Sequence, residues 1–251
     1  MKPRSTMLAG LVLLAGLARP TPGALTFAPL DGHVTVESGS PTVWLSLDLP
    51  IPDGSVNGVS DTRTVTSSET DIRSLSVWLA ISGTGADGGF NGDLYVTLIH
   101  ESGYAVLLNR PGRSSADEFG YGDSGMNVMF ADAAPNGDVH GYGALLQGSL
   151  LTGLWAPDGR AVDPDVVDFS SPRSALLSSF NGLNPNGAWT LFVADLASGG
   201  QQQVVSWGLE INAVPEGPAG LWSGSLLLAL LGHFEWRRRR RPVSRRGGGS
   251  S

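Results

Sequence analysis

The stretch that decides the fold is LLSSFNGLNPNGAWTLFVADLASGGQQQVVSWGLEI, residues 176–211. Large apolar residues recur at every second position in both of its halves: Trp189, Leu191 and Val193, then Val205, Trp207, Leu209 and Ile211. A period of two places alternate side chains on one face of a β-strand. The stretch therefore predicts strands of an antiparallel sheet, each with one buried face, on either side of a glycine-rich joint.

The same alternation occurs outside this stretch, in around eight short runs between about residues 43 and 211. Two clear examples place on one face Leu75, Val77, Leu79 and Ile81, and then Leu94, Val96 and Leu98. No long amphipathic helix and no nucleotide-binding glycine motif interrupts them. This pattern predicts an all-β sandwich or jelly roll. A body of about 190 residues is large enough to bury a full core.

Composition limits the chemistry. The chain has no cysteine, which excludes a disulfide framework, a thiol nucleophile and a thiolate metal site. Residues 25–213 contain six arginines against 16 Asp and 5 Glu, a net charge of −15. Such a body repels nucleic acid and anionic membranes. The acidity suits divalent cations, or it keeps an exported protein soluble; composition leaves both open.

The N-terminal residues 1–24 have the pattern of a secretory signal peptide. Lys2 and Arg4 precede a 12-residue apolar run, Met7 to Ala18, which is too short to span a bilayer. Small residues and prolines follow. We predict export through an inner membrane, with residues 25–44 as a lead-in to the folded body.

The C-terminal residues 214–251 form a tripartite tail: Val214, Pro215 and Glu216, then an apolar segment at about 219–236, then an arginine cluster. The apolar segment predicts a transmembrane helix, and the arginines predict a cytoplasmic end. The order resembles the PEP-CTERM sorting signal of Gram-negative bacteria, in which an exosortase recognises Pro-Glu-Pro. Gly217 replaces the second proline here. The resemblance implies an exosortase-like partner; a plain membrane anchor is the alternative.

Four segments within residues 45–213 carry a second resemblance. They are an Ile-Pro-Asp before a strand pair (from Ile51), NGDLYVTLIHESGYAVLLNRPG (from Asn91), MNVMFADAA (from Met126) and the opening stretch. In this order they resemble the P domain (Homo B domain) of subtilisin-like proprotein convertases. Its signature residues match Asn184, Pro185, Gly187, Trp189 and Trp207, to which we assign structural roles.

The P-domain resemblance implies a β jelly roll of eight or nine strands without catalytic residues. In convertases it follows a separate catalytic domain, which we do not expect here, because only about 20 residues separate the predicted signal peptide from the first matching segment. It also implies calcium in some bacterial members, with acids at Asp93, Asp132 and Asp195. Calcium prefers loop carboxylates and carbonyls. From the loops we add the candidate ligands Asp87, Asn91 and Asp123; turn caps are the alternative role for each.

Gly-Asp-Ser-Gly at 122–125 has the spelling of a serine-protease nucleophile loop. A triad also needs a histidine base and an orienting acid. The candidate bases are His33, His100 and His140, and none lies in a matching sequence context. Ser124 is therefore predicted to be a loop residue.

Three functions remain. The preferred prediction is a non-catalytic, exported surface or extracellular-matrix protein that has a binding or structural role, with exopolysaccharide as a candidate ligand. The second is an accessory P domain for a subtilisin-like protease in trans. The third is a stand-alone serine hydrolase built on Ser124.

Overall fold

The computed structural model describes residues 26–27, 33–35, 41–44, 47–85, 88–101, 103–143 and 150–215. The predicted signal peptide, Asp87, Glu216 and the rest of the tail lie outside these residues. Within them, no helix has the length and hydrophobicity that a membrane span requires.

Twelve strands and three short 3-10 helices make up the described chain, which contains no α-helix in those residues. The strands are β1 Thr26–Phe27, β2 His33–Thr35, β3 Pro41–Trp44, β4 Leu49–Ile51, β5 Ser55–Thr66, β6 Asp71–Thr84, β7 Leu94–His100, β8 Gly103–Asn109, β9 Met126–Phe130, β10 Leu151–Trp155, β11 Gly187–Asp195 and β12 Gln201–Val214. The 3-10 helices are Asn91–Asp93, Val139–Gly141 and Leu177–Phe180.

The strands form two sheets. One has the order β1-β3-β12-β6-β9-β10, with β4 also paired to β12, and the other has the order β2-β5-β11-β7-β8. Most pairs are antiparallel, including the long β12–β6 pair and both neighbours of β11. The predicted all-β class is confirmed.

The core lies between the sheets and is built from the alternating faces that the sequence predicted. Trp189 in β11 and Trp207 in β12 are both fully buried in it. The indole Nε1 of Trp207 donates to Asp61 Oδ2 in β5 of the other sheet, at 2.6 Å. Apolar packing and this inter-sheet hydrogen bond together fix how the two layers face each other.

One predicted buried position is wrong. Val205 was placed on the core face with Trp207, but Val204 is fully buried instead, and Val205 is only half-buried. The β12–β6 register shifts between Val204 and Ser206, which marks an extra residue in β12. A bulge of this kind reverses which side chains face the core, and periodicity alone does not reveal it.

Candidate cation site at one end of the sandwich

Three acidic residues from separate parts of the sequence meet at one end of the five-stranded sheet. Asp195 is the last residue of β11 and pairs with Leu94 of β7 and Ser55 of β5. Asp93 closes the 3-10 helix that leads directly into β7. Asp53 lies in the turn just before β5 and accepts the Gly199 N–H at 3.0 Å. Antiparallel pairing thus brings the strand ends that carry these acids together.

The Asp195 carboxylate is an unusual buried group. The residue has no exposed surface, and neither Oδ1 nor Oδ2 has a hydrogen-bond partner of standard geometry. The Ala197 N–H lies close enough to lower the pKa, but it does not meet hydrogen-bond geometry. A buried carboxylate without donors costs free energy, which a bound cation or a proton would offset.

Asp93 is the second buried acid at this end. It is 4% exposed, and its side chain has no hydrogen-bond donor among the described residues. Its nearest cation is the Arg110 Nη2, 3.8 Å from Oδ1, which is a long ion pair. The Arg110 guanidinium instead donates to the carbonyl oxygens of Gly92 (3.3 Å) and Glu118 (3.0 Å).

Burial and neighbouring carboxylates raise the pKa of both acids. Burial raises the pKa of Asp93 to about 6, the Arg110 charge opposes this, and Asp53 adds to it. Burial, and then repulsion from Asp93, raise the pKa of Asp195 to about 7. Like charges and desolvation are the standard causes of such increases. A cation between the two carboxylates would oppose both increases in pKa.

The donor chemistry fits a hard cation such as calcium, which prefers carboxylate and carbonyl oxygens. Within the described residues, however, no three His, Cys, Asp or Glu side chains form a complete metal site. Asp93 and Asp195 would hold the ion, and backbone carbonyls and water would complete its shell. Asp53, whose charge acts on both acids, was absent from the predicted ligands. The sequence feature that could have indicated Asp53 was its place in the Ile-Pro-Asp motif of the first matching segment.

Asn91 and Asp123, both predicted as calcium ligands, make hydrogen bonds within the fold. Asn91 Oδ1 accepts the Gly125 N–H at 3.0 Å, and its amide donates to the Gly125 carbonyl at 3.1 Å. The Asp123 backbone carbonyl accepts the Asn91 N–H at 2.7 Å, and its carboxylate accepts from the Tyr142 hydroxyl at 3.1 Å. These contacts fix the 121–125 loop onto the 3-10 helix before β7.

Asp132 has a capping position. Its two carboxylate oxygens accept the N–H groups of Leu177 (2.9 Å) and Ser178 (2.8 Å), at the start of the third 3-10 helix. No described contact joins it to Asp93 or Asp195. Binding a metal would require it to give up these bonds.

The signature residues occupy the structural positions that the sequence predicted. Trp189 is buried, and its indole N–H donates to the Pro185 carbonyl at 2.9 Å. The His100 ring stacks on it, with centroids 4.0 Å apart, and bonds the carbonyls of Asn184 (2.7 Å) and Ala188 (2.9 Å). Gly187 has a φ of +118°, which favours glycine. These contacts hold the Asn-Pro turn against the core.

Ser124 has no described contact with an imidazole. Its hydroxyl accepts the Gly89 N–H at 3.1 Å. His140 is fully buried and bonds Asp158 (2.7 Å) and the Arg113 carbonyl (3.0 Å), while His100 bonds two other carbonyls. His33 lies in β2, and its side chain is outside the description.

The predicted sorting motif begins inside the last strand. Val214 is the final residue of β12 and pairs with Asp71, and Pro215 follows it with an exposed side chain. Glu216 lies outside the described residues. The motif therefore starts where the sandwich ends.

No protein-family model matches the sequence, and no curated protein matches it. Among solved structures, it is similar to the serine protease of Aeromonas sobria in a complex with its chaperone, at 13% identity and a TM-score of 0.35. It is also similar to that serine protease in a separate structure, at 12% identity and a TM-score of 0.35. In both, the match covers 68% of this chain and 26% of the other. The chain thus spans about a quarter of those proteins' length, and likeness at this level assigns no function.

Proposed function

We propose that the chain is a non-catalytic, exported module of the cell surface or extracellular matrix, built on a P-domain-like jelly roll and stabilised by calcium. The tail would sort or anchor it through an exosortase-like enzyme. The proposal rests on the sequence resemblances together with one structural contrast. Ser124, His100 and His140 make hydrogen bonds within the fold, whereas Asp93 has only a long ion pair with Arg110 and the Asp195 carboxylate has no hydrogen-bond partner among the described residues.

Calcium has a defined role in this proposal. The ion would neutralise the two buried carboxylates and join the start of β7 to the end of β11. It would also join the 196–200 loop, because Leu196 donates to the Asp93 carbonyl and Gly199 donates to Asp53. Calcium would thereby stabilise one end of the sandwich without taking part in a reaction.

A second candidate, an accessory domain for a subtilisin-like protease in trans, is favoured by a groove on the outer face of the five-stranded sheet. The groove has a volume of about 290 Å³, and its lining includes Val56, Tyr95 and Phe192. Val56 is 76% exposed, and the acids Asp163 and Asp165 also line the groove. A surface that combines aromatic, aliphatic and charged side chains suits a protein partner.

Pull-down of the full-length protein from native envelope separates the two candidates. Recovery of polysaccharide that survives a Val56→Asn substitution would support the matrix role. Recovery of one subtilisin-like protease that Val56→Asn abolishes would support the accessory role. Hydrolysis of ester or peptide substrates that disappears in Ser124→Ala would contradict both.

A further inference from the structure

A pocket of about 370 Å³ opens beside the acid pair. Its lining includes Phe90, Asp93, Phe119, Tyr121 and Ser198. This volume lies within the range of about 300–1,000 Å³ that is usual for ligand sites. The calcium site proposed above does not involve the aromatic side chains that line this pocket.

The walls are held in place by backbone contacts. The Gly92 N–H donates to the Tyr121 carbonyl, and the Tyr121 N–H donates to the Pro111 carbonyl, both at 2.9 Å. A Cβ at Gly92 would collide with the Phe119 carbonyl oxygen, so only glycine permits this approach. The aromatic loop is therefore fixed before any ligand arrives, which lowers the entropic cost of binding.

Two of the aromatic side chains are unusually open to solvent. Phe119 is 65% exposed and Phe90 is 37% exposed. Aromatic faces attract organic cations, more strongly when the cation is desolvated. Among the described residues, the cation nearest to the Asp93 carboxylate in this lining is the Arg110 guanidinium, 3.8 Å away in a long ion pair. The pocket thus combines aromatic rings with an incompletely compensated negative charge.

We propose that this pocket binds a lysine or arginine side chain presented by a partner protein. The aliphatic stem of such a side chain would lie against Phe90, Phe119 and Ala197, and its charged head would reach the Asp93 carboxylate. The net charge of −15 on residues 25–213 would steer a basic partner toward the body. A neutral sugar would leave the Asp93 charge with only the long Arg110 ion pair to offset it. The inference goes beyond the proposed function and requires neither export nor calcium.

The test uses the full-length protein in detergent micelles at pH 7.5 with chelator. Its probes are capped Gly-Lys-Gly and Gly-Arg-Gly peptides, and the neutral control is the norleucine analogue, which keeps the stem and removes the charge. We expect NMR shifts at Phe119 and Tyr121 with the basic peptides and at least about fivefold weaker binding of the norleucine peptide.

Two variants localise the binding. Phe119→Ala should weaken binding of the basic peptides about fivefold, and Asp93→Asn should weaken it further. The matched control is Phe169→Ala, which removes a ring that is 48% exposed but does not line this pocket, and it should leave binding unchanged. Circular dichroism checks folding. If Asp93→Asn fails to fold, Phe119→Ala still tests the proposal. The Phe119 side chain is exposed, so its removal should not unfold the protein.

Equal binding of the norleucine peptide, equal effects of Phe119→Ala and Phe169→Ala, or binding of a neutral oligosaccharide alone would overturn the proposal. Added calcium should compete with the peptides if both use Asp93. Peptide binding that calcium does not affect would count against the calcium site and support the pocket as a peptide-binding site. Calcium binding without peptide binding would support the calcium site and overturn the pocket proposal.

Discussion

Asp158 and Asp195 are both carboxylates without exposed surface, yet their surroundings are opposite. Asp158 accepts from His140 Nδ1 at 2.7 Å, from Arg160 Nη1 at 3.1 Å and from the Asn109 N–H at 3.2 Å. Asp195 accepts no hydrogen bond of standard geometry, and its charged neighbours include the like charge of Asp93. The same side chain, at the same burial, is fully satisfied at one place and unsatisfied at the other.

The difference separates a structural role from a binding role. The hydrogen bonds and opposite charges around Asp158 compensate its burial, so we assign it to the stability of the fold. The cost of burying Asp195 is not offset within the described residues. On the proposed function, a cation taken from solution would offset this cost.

The largest expected effect is on the Asp158 side of the comparison. Asp158→Asn should lower the free energy of unfolding by up to about 3–5 kcal/mol, because it removes the buried charge that His140 and Arg160 share, although Arg160 keeps its ion pair with Asp138 at 2.8 Å. Asp195→Asn in chelator should cause no loss, because it removes an uncompensated charge. Urea unfolding of the full-length protein at pH 7.5 measures both. Similar losses in the two variants would break the distinction.

Calcium should act on the Asp195 side only. Calcium at 100 times its Kd should raise the free energy of unfolding of the wild type and of Asp158→Asn by about 2.7 kcal/mol. It should leave Asp195→Asn unchanged, because one of the two buried ligands is then neutral. The same urea titrations, repeated with calcium, give this difference. An increase in Asp195→Asn equal to that of the wild type would place the ion elsewhere.

The pH dependence sharpens the comparison. The pKa of Asp195 is raised from its ordinary 3.8 to about 7, so between these values the folded state binds more protons than the unfolded state. Stability without calcium should therefore fall as the pH rises from about 4 to about 7, by at most about 1.4 kcal/mol per pH unit from this group, and then level off. Asp195→Asn should remove this fall relative to the wild type. The check is urea unfolding in chelator at pH 5, 6 and 7.5, and parallel curves for the two proteins would contradict it.

The smallest expected effect is that of replacing Asp132, and it distinguishes a helix-capping role from a calcium-ligand role for this residue. Asp132→Ala should lower the free energy of unfolding by about 0.5–2 kcal/mol, because the Leu177 and Ser178 N–H groups lose their acceptor. The loss should be the same with calcium and with chelator. A loss seen only with calcium would restore Asp132 as a ligand.

The sequence predicted much of the fold because apolar side chains with a period of two record burial directly. The faces of β6, β7 and β11 follow that pattern, and so do Trp207, Leu209 and Ile211 of β12. The prediction that Val205 faces the core was wrong because the bulge beside it arises from the register in which β12 pairs with β6.

The candidate site was only partly predictable. Asp93 and Asp195 were named together, but Asp53 was missed, because its place beside them depends on the pairing of β5 with β11. Asp132 was predicted as a ligand because the P-domain resemblance places an acid at this position. Its capping contacts are with Leu177 and Ser178, about 45 residues later in the chain, which no local sequence pattern reveals.

Calorimetric titration of calcium into the full-length wild type and Asp195→Asn, at pH 6.5 in two buffers of different ionisation enthalpy, measures directly whether Asp195 binds calcium. We expect one calcium per wild-type molecule, with protons released because the pKa values of Asp93 and Asp195 are raised to about 6 and about 7. We expect no measurable binding to Asp195→Asn. Equal calcium affinity in the two proteins, or no binding by the wild type at millimolar calcium, would contradict it.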